Sequence, residues 1–151
     1  MLNKDYKDIL RALNDEKVSF LLVGAYAMAA HGYPRATMDI DLWVMPSKRN
    51  AQAVMRALRR FGAPMTDVTH EDFQQEGAIF QIGVAPRRID IITTASGLRF
   101  EAAYDRSLAV TIEGMVVHVP SLDDLICNKM ASGRTKDLAD AEALEALKRS
   151  Q

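Results

Sequence analysis

Pro34-Arg35-Ala36-Thr37-Met38-Asp39-Ile40-Asp41-Leu42-Trp43-Val44 is the stretch on which the fold turns. Side chains alternate along a strand, so Met38, Ile40, Leu42 and Val44 point one way, and Asp39, Asp41 and Trp43 the other. The apolar row belongs in a core. The opposite face then carries two acids about 7 Å apart along the chain. Two like charges at about 5 Å repel by roughly 3 kcal/mol at an effective dielectric of about 20, so keeping both calls for a positive partner. A divalent cation can supply it.

Upstream, Val18 to Val23 is a short apolar run ending at Gly24, too short for a buried helix and suited to a central strand. Ala25 to His31 is rich in small residues and reads as a helix, broken at Gly32-Tyr33-Pro34. A helix that starts straight after a strand offers free N–H groups and its positive dipole end, and a glycine there lets an anion come close. Many α/β domains use such a glycine for packing alone. Here one short helix separates it from the two acids, which places an anion site beside a cation site. Residues 3 to 14, with Tyr6, Ile9, Leu10 and Leu13 at helical spacing, read as an amphipathic packing helix.

Downstream, Ser47 caps a helix with Val54, Met55, Leu58 and Phe61 on one stripe, closed by Gly62. Thr69 to Asp72 reads as a capping box for a short helix with Phe73 inward, and His70 as a surface residue. Residues 78–84 and 88–93 read as strands joined across Ala85-Pro86-Arg87. Asp90 is embedded in β-branched residues, costly for a carboxylate unless it meets a metal or pairs with a cation, for which Arg88 stands two residues away on the same face. Residues 98–105 suggest an exposed connector, and 107–112 with 115–119 a hairpin on the sheet edge.

Ser121 opens a helix with Leu122, Leu125, Ile126 and Met130 buried, and Thr135 caps a last helix with Leu138, Ala141, Leu144 and Leu147 inward. Lys129 falls off its helix's stripe, where it either reaches phosphates or is solvated. Lys136 and Asp140, at i and i+4, suit a surface ion pair. Yet Lys129, Arg134 and Lys136 crowd one turn, where they could meet phosphates or RNA with Asp137 and Asp140 orienting them. Arg59-Arg60 and Arg87-Arg88 read as solvated clusters, and Trp43 as a structural residue or the wall of a site.

With 19 basic and 20 acidic residues the net charge is −1, which announces neither nucleic acid nor membrane. One cysteine forms no internal disulfide, and the charged start lacks the apolar run of a secretory signal, so a cytoplasmic location is expected. No apolar run nears the ~20 residues of a membrane span. The length suits one domain, residues 1–151. The expected class is α/β (α+β), a mixed sheet of about five or six strands flanked by helices.

Asp-x-Asp on one strand with Asp90 on a later one is the donor set for two Mg²⁺ ions, hard cations that take carboxylate oxygens and leave water positions for phosphate. Two such ions suit in-line transfer of a nucleotidyl group. Gly24-Ala25, Arg35 to Asp41 and Arg88-Ile89-Asp90 together resemble the DNA polymerase β-like nucleotidyltransferase superfamily. Asn128 to Asp140 is similar to the Lys…Arg-x-Lys-Asp-x-x-Asp signature of small stand-alone prokaryotic members that include the abortive-infection, toxin–antitoxin nucleotidyltransferases.

The resemblance spans residues 18 to 145 and implies the nucleotidyltransferase fold. It implies Asp39, Asp41 and Asp90 as Mg²⁺ (or Mn²⁺) ligands and catalytic acids, with Lys136 assisting. Nucleotide contacts are implied at Gly24, Ala25, Arg35, Thr37, Lys129 and Arg134. The substrate would be a nucleoside triphosphate, the acceptor hydroxyl would lie on protein, tRNA or a small molecule, and a cognate toxin or antitoxin chain is an expected partner. The superfamily usually has Gly-Ser or Gly-Gly where this chain has Gly24-Ala25, which removes one hydroxyl contact to phosphate. The alternative is a degenerate domain of the same fold that binds a nucleotide or a partner without turnover.

Overall fold

The computed structural model describes residues 2–34, 39–84 and 87–151. Helix α1 (Lys4–Asp15) starts at Asn3, whose side chain accepts the Tyr6 N–H, and buries Tyr6, Ile9, Leu10 and Leu13. Strand β1 (Phe20–Val23) runs directly into α2 (Gly24–Ala30). Strand β2 (Ile40–Val44) is followed by α3 (Lys48–Phe61), capped by Ser47 and stopped by Gly62 in the left-handed conformation. A 3₁₀ turn (Asp72–Gln74) carries buried Phe73, with Thr69 N–H donating to Asp72 as a capping arrangement requires. Strands β3 (Ile79–Ile82) and β4 (Ile89–Ile92) precede α4 (Phe100–Asp105), β5 (Leu108–Ile112), β6 (Met115–Val119), α5 (Leu122–Ser132) and α6 (Thr135–Arg149).

Four strands form one mixed sheet in the order β1-β2-β4-β3, with β2 parallel to β4 and the outer pairs antiparallel. Its register sorts the side chains into rows. Ile40, Leu42 and Val44 join Ile89 and Ile91 in the larger core, roofed by α1 and α3. On the other face, Leu21, Trp43 and Ile92 make one row and Val23, Asp41 and Asp90 the next. Phe100 and Ala103 of α4 cover the apolar row; in the acidic row beyond it Asp90 is buried at 9% exposure and Asp41 is half-buried.

Several expectations need correction. Among the described residues the six strands do not share one sheet: β5 and β6 pair with each other, and β6 lies against β1 without extending its ladder. Residues 100–105 are helical, because Phe100 and Ala103 seat α4 on Trp43 while Glu101 and Asp105 face out. Met130 and Leu138 are exposed, and Arg134 rather than Thr135 occupies the cap position of α6. The facing sides of α5 and α6 are joined instead through charge. Asp137 and Asp140 are buried on α6, and Lys129 of α5 lies 3.5 Å from the first and 3.1 Å from the second. Among the described residues, no helix is long and apolar enough to cross a membrane.

Candidate active site

Asp41 and Asp90 are register partners on the parallel strands β2 and β4, so their side chains leave the sheet side by side. Asp39 stands just before β2 and accepts the backbone N–H of Arg88 at 3.1 Å. The Arg88 side chain then ties the outer acids together: Nε and Nη2 donate to the two oxygens of Asp90 at 2.7 and 3.2 Å, and Nη2 lies 3.3 Å from Asp39. Asp39 and Asp90 thus share one guanidinium, and Asp41 is hydrogen-bonded to Asp90 beside them. Of the two alternatives drawn for Asp90, the salt bridge to Arg88 is present, and it engages both oxygens of the carboxylate.

Asp41 bears the cost of this crowding. Burial, the charge of Asp90 and a hydrogen bond with it, and then Asp39, push its carboxyl up to about 6, with Arg88 opposing. Its Oδ2 lies over the start of α2, so close that a Cβ at Gly24 would stand 2.5 Å away. Gly24 also has φ +69°, where an L side chain is strained. Glycine is therefore required twice at this strand-to-helix junction, by conformation and by the approach of a carboxylate. Ala25 follows in the first turn of α2, whose cap makes no side-chain hydrogen bond.

Tyr6 is a member of this neighbourhood that packing periodicity did not reveal. It is fully buried, donates from its hydroxyl to the Arg88 carbonyl at 3.1 Å, and stacks edge-on to Tyr26 at 5.9 Å. Burial, Tyr26 and the three acids push its phenol up to about 12, so it stays protonated and holds the backbone from which Arg88 extends. No local pattern marks it, because its partner lies 82 residues away.

The basic group at the α5–α6 junction is only partly as expected. Arg134 Nε donates to Asp137 at 2.6 Å, and its pKa is raised by that bond and charge, with a further contribution from the charge of Asp41. The junction therefore lies within electrostatic reach of the acids. Lys129 is mostly buried against Asp137 and Asp140 rather than solvated. Lys136 is exposed, and its expected partner Asp140 is engaged by Lys129. Burial pushes the Asp137 carboxyl up, but the hydrogen bond from Arg134 and the charge of Lys129 outweigh it and hold the group below the ordinary value. Trp43 is 1% exposed and packs edge-on to Phe100 at 5.2 Å, a core residue rather than a platform for a base. Arg35 and Thr37 lie outside the described residues.

Among the described residues, no set of three His, Cys, Asp or Glu side chains is gathered in metal-binding geometry. The donor chemistry nevertheless suits a hard divalent cation. The acids at the site offer carboxylate oxygens, and the Asp41 carboxyl is raised first by burial and then by the charges of Asp90 and Asp39, which Arg88 only partly offsets.

A family model described as "nucleotidyltransferase of unknown function (DUF6036)" matches residues 1–150. No curated protein sequence matches the chain. Among solved structures, the antibiotic-resistance factor ANT(2'')-Ia is similar at TM-score 0.59 and 17% identity, over 97% of this chain and 88% of that one. A Thermotoga maritima protein, provisionally assigned as a nucleotidyltransferase, is similar at TM-score 0.55 and 17% identity, over 100% of this chain and 97% of that one. At such identity these two structures speak to fold alone.

Proposed function

Since this chain belongs to the DUF6036 nucleotidyltransferase family, we propose that it transfers a nucleoside monophosphate from a nucleoside triphosphate to an acceptor hydroxyl, with residues 1–151 acting as one domain. The observation that carries this reading is the pairing of Asp41 with Asp90 across β2 and β4, with Asp39 joined to Asp90 through Arg88. In the reaction an acceptor oxygen bonds to the α-phosphorus, the bond from that phosphorus to the bridging oxygen breaks, pyrophosphate leaves, and the hydroxyl proton passes to the Asp90 carboxylate.

Asp39, Asp41 and Asp90 would hold Mg²⁺ or Mn²⁺, which when bound lowers the pKa of the attacking hydroxyl and neutralises charge on the leaving pyrophosphate. Asp90 would act on the acceptor hydroxyl as base, and Arg88, released from Asp39 and Asp90, would turn to phosphate. Gly24 and Ala25 would bring backbone N–H groups to the triphosphate. Arg134, within the field of Asp41, would meet its far end, held by Asp137, with Lys129 on the other side of that carboxylate and Lys136 exposed nearby as further proposed contacts. Arg35 and Thr37, by their place in the motif, complete the proposed nucleotide contacts. The similarity to small stand-alone members suggests a cytoplasmic toxin–antitoxin component whose acceptor is protein, tRNA or a small molecule.

Incubation with each α-phosphate-labelled nucleoside triphosphate and Mg²⁺ or Mn²⁺, in the presence of cell lysate, tests the reading. Label should enter one class of acceptor with wild type and fail to do so with Asp41→Asn. Nucleotide binding without transfer by wild type would leave the degenerate module in its place.

A further inference from the structure

One residue, Arg88, engages every carboxylate oxygen of Asp39 and Asp90. Its backbone N–H donates to Asp39 Oδ1 at 3.1 Å and its Nη2 lies 3.3 Å from Asp39 Oδ2, while Nε and Nη2 donate to Asp90 Oδ1 and Oδ2 at 2.7 and 3.2 Å. A fixed positive charge thus bridges two of the three acids to which a metal is assigned. The two halves of the residue are held differently. The Arg88 carbonyl accepts from the Ile40 N–H at 3.0 Å and from the Tyr6 hydroxyl at 3.1 Å, so the main chain is tied on both sides of its Cα. The side chain keeps 32% of its surface exposed, against 13% for Asp90, and can leave the acids for solvent while the main chain stays in place.

Holding the fold together does not account for this arrangement. The strands that Arg88 would tie are already joined by a parallel ladder pairing Ile40 to Trp43 with Ile89 to Ile92, and an ion pair with a partly exposed cation adds little to stability. What the guanidinium does do is satisfy the carboxylates in place of a metal. A divalent cation arriving alone must displace a charge of its own sign. A cation arriving on a polyphosphate brings the exchange partner with it: phosphate oxygens take the guanidinium as the carboxylates take the metal, and the planar fork of arginine suits both anions.

We propose that Arg88 is an internal counter-ion that bars free divalent cations from the site of Asp39, Asp41 and Asp90 and yields it to a cation chelated by a polyphosphate, so that metal and triphosphate enter as one unit. Asp39 Oδ1 keeps the backbone N–H of Arg88 throughout, and the exchange frees Asp39 Oδ2 and both oxygens of Asp90. The polyphosphate being a nucleotide rests on the transferase reading; the exclusion of free cations rests on the geometry of Arg88.

Mn²⁺ titration followed by electron paramagnetic resonance tests the exclusion on wild type, on Arg88→Gln and on a control, Arg59→Gln, which removes the same charge from α3 on the other side of the sheet. With no polyphosphate, Arg88→Gln should bind Mn²⁺ at least about 10-fold more tightly than wild type, and Arg59→Gln within about 2-fold of it. Inorganic tripolyphosphate should then tighten Mn²⁺ binding more in wild type than in Arg88→Gln by about the same factor, since the affinity of the ion for free tripolyphosphate is common to both and cancels. Mn²⁺ binding by Arg88→Gln no tighter than by wild type, or a tightening of equal size in both, overturns the proposal. If Arg88→Gln fails to fold, ¹⁵N NMR of the wild type decides. The Arg88 Nε–H signal, identified by its absence from Arg88→Lys, should stay in place with Mg²⁺ alone and move with Mg²⁺ and tripolyphosphate together; movement with Mg²⁺ alone, or none with both, overturns the proposal. The expected results in a protein that transfers label from no nucleoside triphosphate overturn the transferase reading and leave the exclusion standing.

Discussion

Asp41→Asn should make the metal-free protein more stable while removing its activity. The carboxyl of Asp41 is pushed from 3.8 to about 6 by burial and by Asp90 and Asp39. A shift of about two units corresponds to a ceiling near 3 kcal/mol at neutral pH, and partial exposure reduces the expected gain to about 1–2 kcal/mol. The sign follows from linkage. A carboxyl whose folded pKa is raised destabilises the fold only where it must ionise, so the penalty is absent below the unfolded value, grows through the interval up to about 6 and is complete above it. Urea denaturation in EDTA should therefore show Asp41→Asn more stable than wild type at about pH 7.5 and indistinguishable from it at about pH 4. Lower stability of the variant at the higher pH, or the same difference at both, would refute the idea that burial and the neighbouring acids make ionisation of Asp41 costly.

Gly24→Ala places a Cβ 2.5 Å from Asp41 Oδ2 at φ +69°, and should cost about 2–4 kcal/mol in urea denaturation together with most of the transfer activity. Asp137→Asn leaves Lys129 and Arg134 without their shared buried partner and should cost about 2–3 kcal/mol near neutrality. Because the folded pKa of Asp137 is lowered, its stabilisation is present above the unfolded value and lost as pH falls through the folded one, so the difference from wild type should shrink in acid. Leu144→Ala, at a fully buried position, should cost about 2–5 kcal/mol, against less than about 1 kcal/mol for Leu138→Ala at 48% exposure. Equal costs would contradict the face assigned to α6.

Local periodicity makes much of this architecture legible. Alternation along 38–44 is enough to separate Ile40, Leu42 and Val44 from Asp39, Asp41 and Trp43, and the run ending at Gly24 marks β1 and the start of α2. What it misses depends on contacts distant in sequence. The charged residues of 99–105 mask a helix defined by just two inward side chains, Phe100 and Ala103. Met130 and Leu138 match an apolar stripe, but the α5–α6 contact was settled by Lys129, Asp137 and Asp140, which no hydrophobic count can anticipate. The double role of Arg88 requires β2 and β4 to be neighbours, and that of Tyr6 requires α1 to lie across them.

The central claim is that Asp39, Asp41 and Asp90 form one site for a divalent cation, and titration of the protein with Mn²⁺ followed by electron paramagnetic resonance measures that directly. Loss of the free-ion signal should saturate at protein-stoichiometric Mn²⁺, tighten when a nucleoside triphosphate is added, and weaken by at least about 10-fold in both Asp41→Asn and Asp90→Asn. Binding by wild type that is unaffected by either substitution, with or without nucleotide, would contradict the account.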